Sequence, residues 1–165
     1  MISTGFDNAS GICLHQDATT KTHKHFQSFQ VTVPGNVTYS LGLSEMAGGD
    51  ANNVMHSFKQ QVSDLANSLN SSCNATDVAK IVCSIKFTMS DQGSVNPLFN
   101  RQLGELKESL LPEVYSNWDT LNEDVRTEIK DTSSFFCKMH VIVNMDTEAD
   151  KCLVLFESNF SSRLK

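Results

Sequence analysis

Three early stretches of the chain alternate apolar with polar residues, the period of a strand with one buried face. Over 11–17, Ile12 and Leu14 alternate with Cys13, His15 and Asp17, a short strand, and the polar run "ATTKTHKH" follows as a loop. "FQVTV" sets Phe29, Val31 and Val33 against Gln30 and Thr32. After the turn "PGN", the segment "VTYSLGL" alternates again through Val37, Tyr39, Leu41 and Leu43. These two runs predict an antiparallel hairpin.

Past "AGGD" the period lengthens. Val54, Phe58, Val62, Leu65 and Leu69 form the single stripe of an amphipathic helix, with Asp50 as its N-cap and "NSSCNATD" as its end. In "VAKIVCSIKFTMSD", Ile81, Cys83, Ile85, Phe87 and Met89 share one face of a predicted strand, and Asp91 follows in phase at its C-terminal end. A second helix is expected from "NPLF", capped by Asn96, with Pro97 at its first position. Phe99, Leu103, Leu106 and Leu110 give its buried stripe, and Pro112 stops or kinks it. "LNEDVRTEI" predicts a short acidic helix, and 133–156 a helical end, with Phe135, Met139 and Ile142, and Phe136 with Val143, as its core stripe. Trp118 is expected to anchor the loop between two helices.

The order is strand, strand, strand, helix, strand, helices: an α/β chain with a mixed sheet. With 165 residues it suits a single domain, its sheet part at about 10–92 and a mainly helical part at about 93–165. Hydrophobic content of 39% and charged content of 19% describe a globular chain. No stretch approaches the roughly 18 apolar residues of a membrane span, and the first residues carry neither the basic nor the apolar region of a signal peptide. A net charge of −6 lacks the basic face of a free-standing nucleic-acid binder. Five cysteines, Cys13, Cys73, Cys83, Cys137 and Cys152, an odd number, favour reduced thiols in the nucleus or cytoplasm. Five N-x-[ST] sequons, at Asn8, Asn36, Asn70, Asn74 and Asn159, keep a secreted, glycosylated binding domain as the alternative.

The first strand and the strand after the first long helix each end in an aspartate. Singly, each is an ordinary turn residue. If the two strands are neighbours, Asp17 and Asp91 stand side by side, an arrangement suited to Mg²⁺ and to in-line attack on a phosphodiester.

Here the chain resembles a family. "LHQDATTKTHKHF", "VTYSLGLSEMAGGD", "IKFTMSDQGSVNPLFNRQLGEL" and "FFCKMHVIVNM" are similar to the RNase H-like catalytic core of eukaryotic cut-and-paste DNA transposases, with hAT-like elements as wider relatives. The likeness covers roughly residues 11 to 157. It implies an RNase H-like fold, with Asp17 and Asp91 as the first two catalytic, metal-binding acids. Cys137 and His140 match that family's C-x-x-H, and Mg²⁺ or Mn²⁺ would be the cofactor and DNA the partner. Assembly into homo-oligomers on paired DNA ends is also implied. In such cores a third acid, usually Glu, follows a helical insertion, and here it would fall beyond residue 165. A chain holding two of three acids is expected to be catalytically weak or inactive alone. A non-catalytic, domesticated interaction module is the neighbouring alternative.

Two further sets of ligand-type residues are present. Cys13, His15, His23 and His25 carry zinc-ligand chemistry, set against a solvated, mildly basic loop beside the first acid. Cys137 and His140, three apart on a helix, share a face, but no second C-x-x-C or H-x-x-H pair completes a zinc site. The resemblance instead implies that His140 orients an acid or meets the DNA backbone. Cys137 then packs as a small buried residue.

Overall fold

The computed structural model describes residues 11–69, 75–91, 93 and 95–163, the side chains of 69, 138–141, 144 and 157–163 excepted. Its first strands, β1 (Ile12–Lys21) and β2 (Lys24–Val33), form one long hairpin whose ladder runs from Cys13↔Thr32 to Lys21↔Lys24. The polar run expected as a loop is therefore mostly strand. Both faces of the hairpin tip are exposed, so no apolar alternation is needed there, and its threonines suit an extended backbone. Only Thr22 and His23 turn, with φ of 50° and 63°, the positive values that two-residue hairpin turns require. β3 (Val37–Met46) returns antiparallel to β2, as expected.

α1 (Ala51–Leu69) starts where Asp50 Oδ1 accepts from Asn52 N at 2.9 Å and from Asn53 N at 3.0 Å. The segment 75–83 is helix α2 (Ala75–Cys83), not the first half of a strand. Val78, Ala79, Ile81, Val82 and Cys83 fit either period. The helix wins because Ala79, Val82 and Cys83 can then all be buried together, while Lys80 turns outward toward Asp77 at 3.9 Å. Ser84 ends the helix, its N–H donating to Lys80 O at 3.0 Å, and opens the sheet by accepting from Ile12 N, also at 3.0 Å. β4 is consequently short, Ile85–Ser90.

α3 (Val95–Val114) buries Phe99, Leu103, Lys107 and Leu111, four residues at a spacing of four. A 3₁₀ turn (Trp118–Thr120) follows, then α4 (Glu123–Lys130), capped by Asn122, whose Oδ1 accepts from Val125 N at 2.8 Å. Trp118 is buried with Cys83 and Leu111, which fits its expected anchoring role.

The helical reading of 133–156 is corrected at its start. Ser133–Phe136 is strand β5, and α5 (Lys138–Arg163) begins after it. An open edge of β4 accepts the short serine–phenylalanine run, fixed by Thr88 Oγ1 donating to Ser134 Oγ at 2.9 Å. Phe135, Phe136, Ile142 and Val143 are exposed rather than a helix core.

The strands form one mixed sheet in the order β3-β2-β1-β4-β5. β1–β2 and β2–β3 pair antiparallel, whereas β1–β4 and β4–β5 pair parallel. One face carries Ile12, Leu14, Phe29 and Val31 against α1, α2 and α3. Phe29, Phe58 and Phe99 meet there, with ring centroids 5.3–5.8 Å apart. On the other face Cys13, His15, Gln30, Phe87 and Met89 are half-buried or exposed. The chain is thus α/β, with a five-stranded mixed sheet and the core on one side of it.

Candidate functional site

The parallel pairing of β1 with β4 ends at His15↔Met89. Two residues further along each strand stand Asp17 and Asp91. The β4–β5 pairing ends at Ser90↔Phe136, and the next residues are Asp91 and Cys137. Cys137 N donates to Ser90 O at 2.7 Å, which carries the ladder one step further. Asp17, Asp91 and Cys137 therefore form a row across three parallel strands, Asp17 within β1 and the other two just past the carboxyl ends of β4 and β5. Neighbouring strands lie about 4.8 Å apart, and the crevice beyond the carboxyl ends is where open α/β sheets receive ligands.

That crevice is a cleft of about 240 Å³, lined by Asp17, Asp91 and Cys137 together with His15, Gln16 and Ser90 among others. Asp17 is exposed and Asp91 half-buried. Two residues on its C-terminal side hold the Asp91 carboxylate. Its Oδ1 accepts from Gly93 N at 2.9 Å and from Asn96 Nδ2, which also reaches Asp91 O at 3.0 Å. A Cβ at position 93 would stand 2.9 Å from Asp91 Oδ1, so a side chain there would displace the carboxylate from its present position. Asn96 is therefore not the helix cap expected from the sequence. α3 starts one residue before it, and its side chain turns back to the second acid.

His15 Nε2 meets Thr32 Oγ1 at 2.9 Å, and Thr32 Oγ1 meets Thr38 Oγ1 at 2.8 Å, a polar line running from the cleft wall across β2 to β3. Burial holds the His15 imidazole below the usual histidine pKa, so it is neutral at pH 7. Burial likewise raises the Cys13 thiol.

Gln16 stands out for the opposite reason. It is 6% exposed, and among the described residues neither its Nε2 nor its Oε1 has a hydrogen-bond partner.

The Cys13, His15, His23, His25 set is not gathered. Cys13 and His15 sit near one end of the β1–β2 ladder, and His23 and His25 at its hairpin tip. Among the described residues no group of three or more His, Cys, Asp or Glu side chains is arranged to hold a metal ion. The C-x-x-H is split by the strand end: Cys137 precedes α5 and is half-buried in the cleft, while the side chain of His140 lies outside the described residues. Asn8, Asn70, Asn74, Cys73 and Gln92 also lie outside them, and of Asn159 only the backbone is described. Asn36 sits exposed in the β2–β3 turn, with φ of 61°. Among the described residues no helix is long and apolar enough to cross a membrane.

Sequence reading missed Gln16, Gly93 and the true role of Asn96. A signal existed for the last two, a glycine two residues and an asparagine five residues after the acid. No protein-family model matches the chain, and neither does any curated protein or solved structure.

Proposed function

We propose that the chain is a transposase-derived, RNase H-like domain whose Asp17 and Asp91 hold a hydrated Mg²⁺ or Mn²⁺ ion against a DNA phosphodiester. The observation that carries this reading is the parallel adjacency of β1 and β4, which brings both aspartates to one cleft. Had those strands been separated, the two acids would have kept their separate meaning as ordinary strand and turn residues. An antiparallel trio continued by two parallel strands, with one acid within the first strand and one after the fourth, supports the RNase H-like part.

The residues fit one ion. Mg²⁺ binds through one or two carboxylates and keeps several waters, which two aspartates in an open cleft permit. A second ion lacks a third donor among the described residues. When bound, the ion would polarise a phosphoryl oxygen and acidify a coordinated water. The chain's own contribution is orientation: Gly93 and Asn96 fix the Asp91 carboxylate, and β1 presents Asp17 beside it. Two carboxylates without a third predict a domain that holds metal and DNA better than it cuts. Work on DNA would place the protein in the nucleus, and action on paired ends would call for a homo-oligomer.

With a net charge of −6, affinity for DNA should depend on the ion that neutralises the two acids. Fluorescence anisotropy with a labelled duplex is expected to show affinity rising about tenfold on adding Mg²⁺ and falling back with a chelator. DNA binding indifferent to Mg²⁺ would remove the support for the reading. Robust Mg²⁺-dependent nicking by the purified chain would show instead that two carboxylates suffice for cutting.

A further inference from the structure

α1, α2 and α3 pack on one face of the sheet, and the residues that alternate with that core form a second face. From β1 it carries Cys13, His15, Asp17, Thr19 and Lys21, and from β4 Phe87 and Met89. Met89 pairs with Phe135 on β5, which therefore shares the face. Three kinds of chemistry follow one another along these strands. At one end the rings of Phe87 and Phe135 stand 6.0 Å apart, 39% and 50% exposed. Met89 joins them to the acid cleft, which it lines together with His15, Asp17, Gln30 and Asp91. Past the cleft, Thr19 and Lys21 continue the line, both exposed. Lys21 stands directly opposite Lys24 on β2. Lys24 has Glu45 at 3.0 Å, whereas Lys21 has no ion-pair partner among the described residues. Like charges in a cross-strand pair destabilise a sheet, and an anion beside Lys21 would relieve that repulsion.

The pattern selects an occupant. A protein interface has an apolar centre depleted of charge, whereas here polar and charged residues separate the aromatic pair from the lysine. A duplex keeps its bases stacked on one another. An unpaired strand presents bases that pack on aromatic side chains and phosphates that meet lysine. The net charge of −6 does not oppose it, because the five strands carry Lys21, Lys24 and Lys86 against Asp17 and Glu45, which puts the excess of acids outside the sheet. Phe87 pairs with Cys13, and from Cys13 to Lys21 along β1 is roughly 26 Å at the usual strand rise, room for about four nucleotides, as in the smallest single-strand sites. We propose that this face binds single-stranded DNA: an unpaired base packs on Phe87 and Phe135, the reacting phosphodiester lies at Asp17 and Asp91, and a further phosphate meets Lys21. The inference rests on the reading of the cleft as a phosphodiester site, and adds that the strand entering it is unpaired.

The test uses the full chain in Mg²⁺ and fluorescence anisotropy with two probes, a duplex carrying a single-stranded overhang and the same duplex with blunt ends. The overhang should raise affinity about tenfold, as one stacked base is worth. Phe135→Ala should lose that gain while keeping wild-type affinity for the blunt duplex and for Mn²⁺. Phe135→Leu keeps an apolar side chain on the edge strand β5 and should lose the gain too, because it lacks the ring face; a full gain in Phe135→Leu would overturn the inference. Lys21→Gln should keep Mn²⁺ affinity and reduce the slope of log affinity against log salt for the overhang probe by about 0.7, the effect of one phosphate contact fewer. An unchanged slope in Lys21→Gln would count against the strand's path in the same way. Equal affinity of the wild type for both probes, with Mg²⁺ dependence intact, would sink the inference and leave the acid site standing. Affinity for both probes indifferent to Mg²⁺ would overturn the reading of the cleft as well. A dimer lost in Phe135→Ala, at unchanged DNA affinity, would assign the aromatic pair to contact between copies of this chain and overturn its role in DNA binding.

Discussion

Phe99→Ala is expected to cost about 3–5 kcal/mol of folding stability, the range for a large aromatic removed from a packed core. Phe99 is fully buried, and its ring lies 5.8 Å from both Phe29 of β2 and Phe58 of α1. The three rings join the sheet to two helices, so the lost contacts cannot be replaced by movement of one neighbour. Against a total stability of about 5–15 kcal/mol, the loss should bring the variant near its unfolding threshold. Phe99 also lies one turn after Asn96, the side chain that holds Asp91. The variant should therefore loosen the second acid as well as the core. Urea denaturation measures the first effect, and the amide NMR signal of Gly93, whose N–H donates to Asp91 Oδ1, reports the second.

Lys107→Ala should cost about 2–4 kcal/mol, from a lost buried stem and the acceptors left without a donor. Lys107 is 1% exposed. Its Nζ donates to Ile85 O at 2.8 Å, to Thr132 Oγ1 at 3.1 Å and to Asp131 O at 3.2 Å. It thereby ties α3 to the start of β4 and to the lead into β5, the two strands that lead to Asp91 and Cys137. Lys107→Met keeps the stem and should lose less.

The pH dependence separates this lysine from an ordinary core residue. Burial, reinforced by Lys86, pushes its ammonium from the ordinary 10.5 down to about 8, against the pull of Cys83 and Asp131. Between about pH 8 and 10.5 the unfolded chain holds a proton that the folded chain has released, so stability rises with pH there. Cys83 acts in the opposite sense. Burial, with a smaller push from Glu113 and against the pull of Lys107, raises its thiol from 9.0 to about 11. Above pH 9 the unfolded chain loses that proton first, and stability falls. Wild-type protein should therefore gain stability from about pH 8 to 9 and then level off. Cys83→Ala should extend the rise, and Lys107→Met should flatten it; the same slope in Lys107→Met as in the wild type would contradict this assignment.

The elements legible in the sequence were those with one face in water. The β2–β3 hairpin and α1, with its Asp50 cap, alternate cleanly because half their residues are exposed. Legibility ended where both faces, or neither, meet solvent. Residues 78–83, VAKIVC, are apolar but for Lys80, a run that satisfies both periods, so most of α2 read as strand. The hairpin tip at 18–25 is polar on both faces, so strand read as loop. β5 has four residues, too few to display a period, and it exists because β4 offers it an edge. Lys107 sits in register with Phe99, Leu103 and Leu111, but a charge at a core position reads as an interruption until its three oxygen partners are seen. Asp91 was legible as a strand end, whereas Asp17, read as one, lies inside β1, which runs on to Lys21. That β1 and β4 are neighbours was not legible, since parallel pairing joins residues some seventy positions apart through no local signal. Gln16 was still less so, because an unpartnered amide is defined by what surrounds it.

On the proposed reading Asp17 and Asp91 serve one ion. Mn²⁺ binding by the purified chain can be followed by electron paramagnetic resonance in the wild type, Asp17→Asn, Asp91→Asn and the double variant. One ion per chain should bind, and each single substitution should weaken it about tenfold or more, since even a ligand's outer partner is worth that. Because both carboxylates serve the same ion, the double variant should lose little beyond either single one. Mn²⁺ binding untouched by either substitution, or two independent losses that simply add, would contradict a shared site.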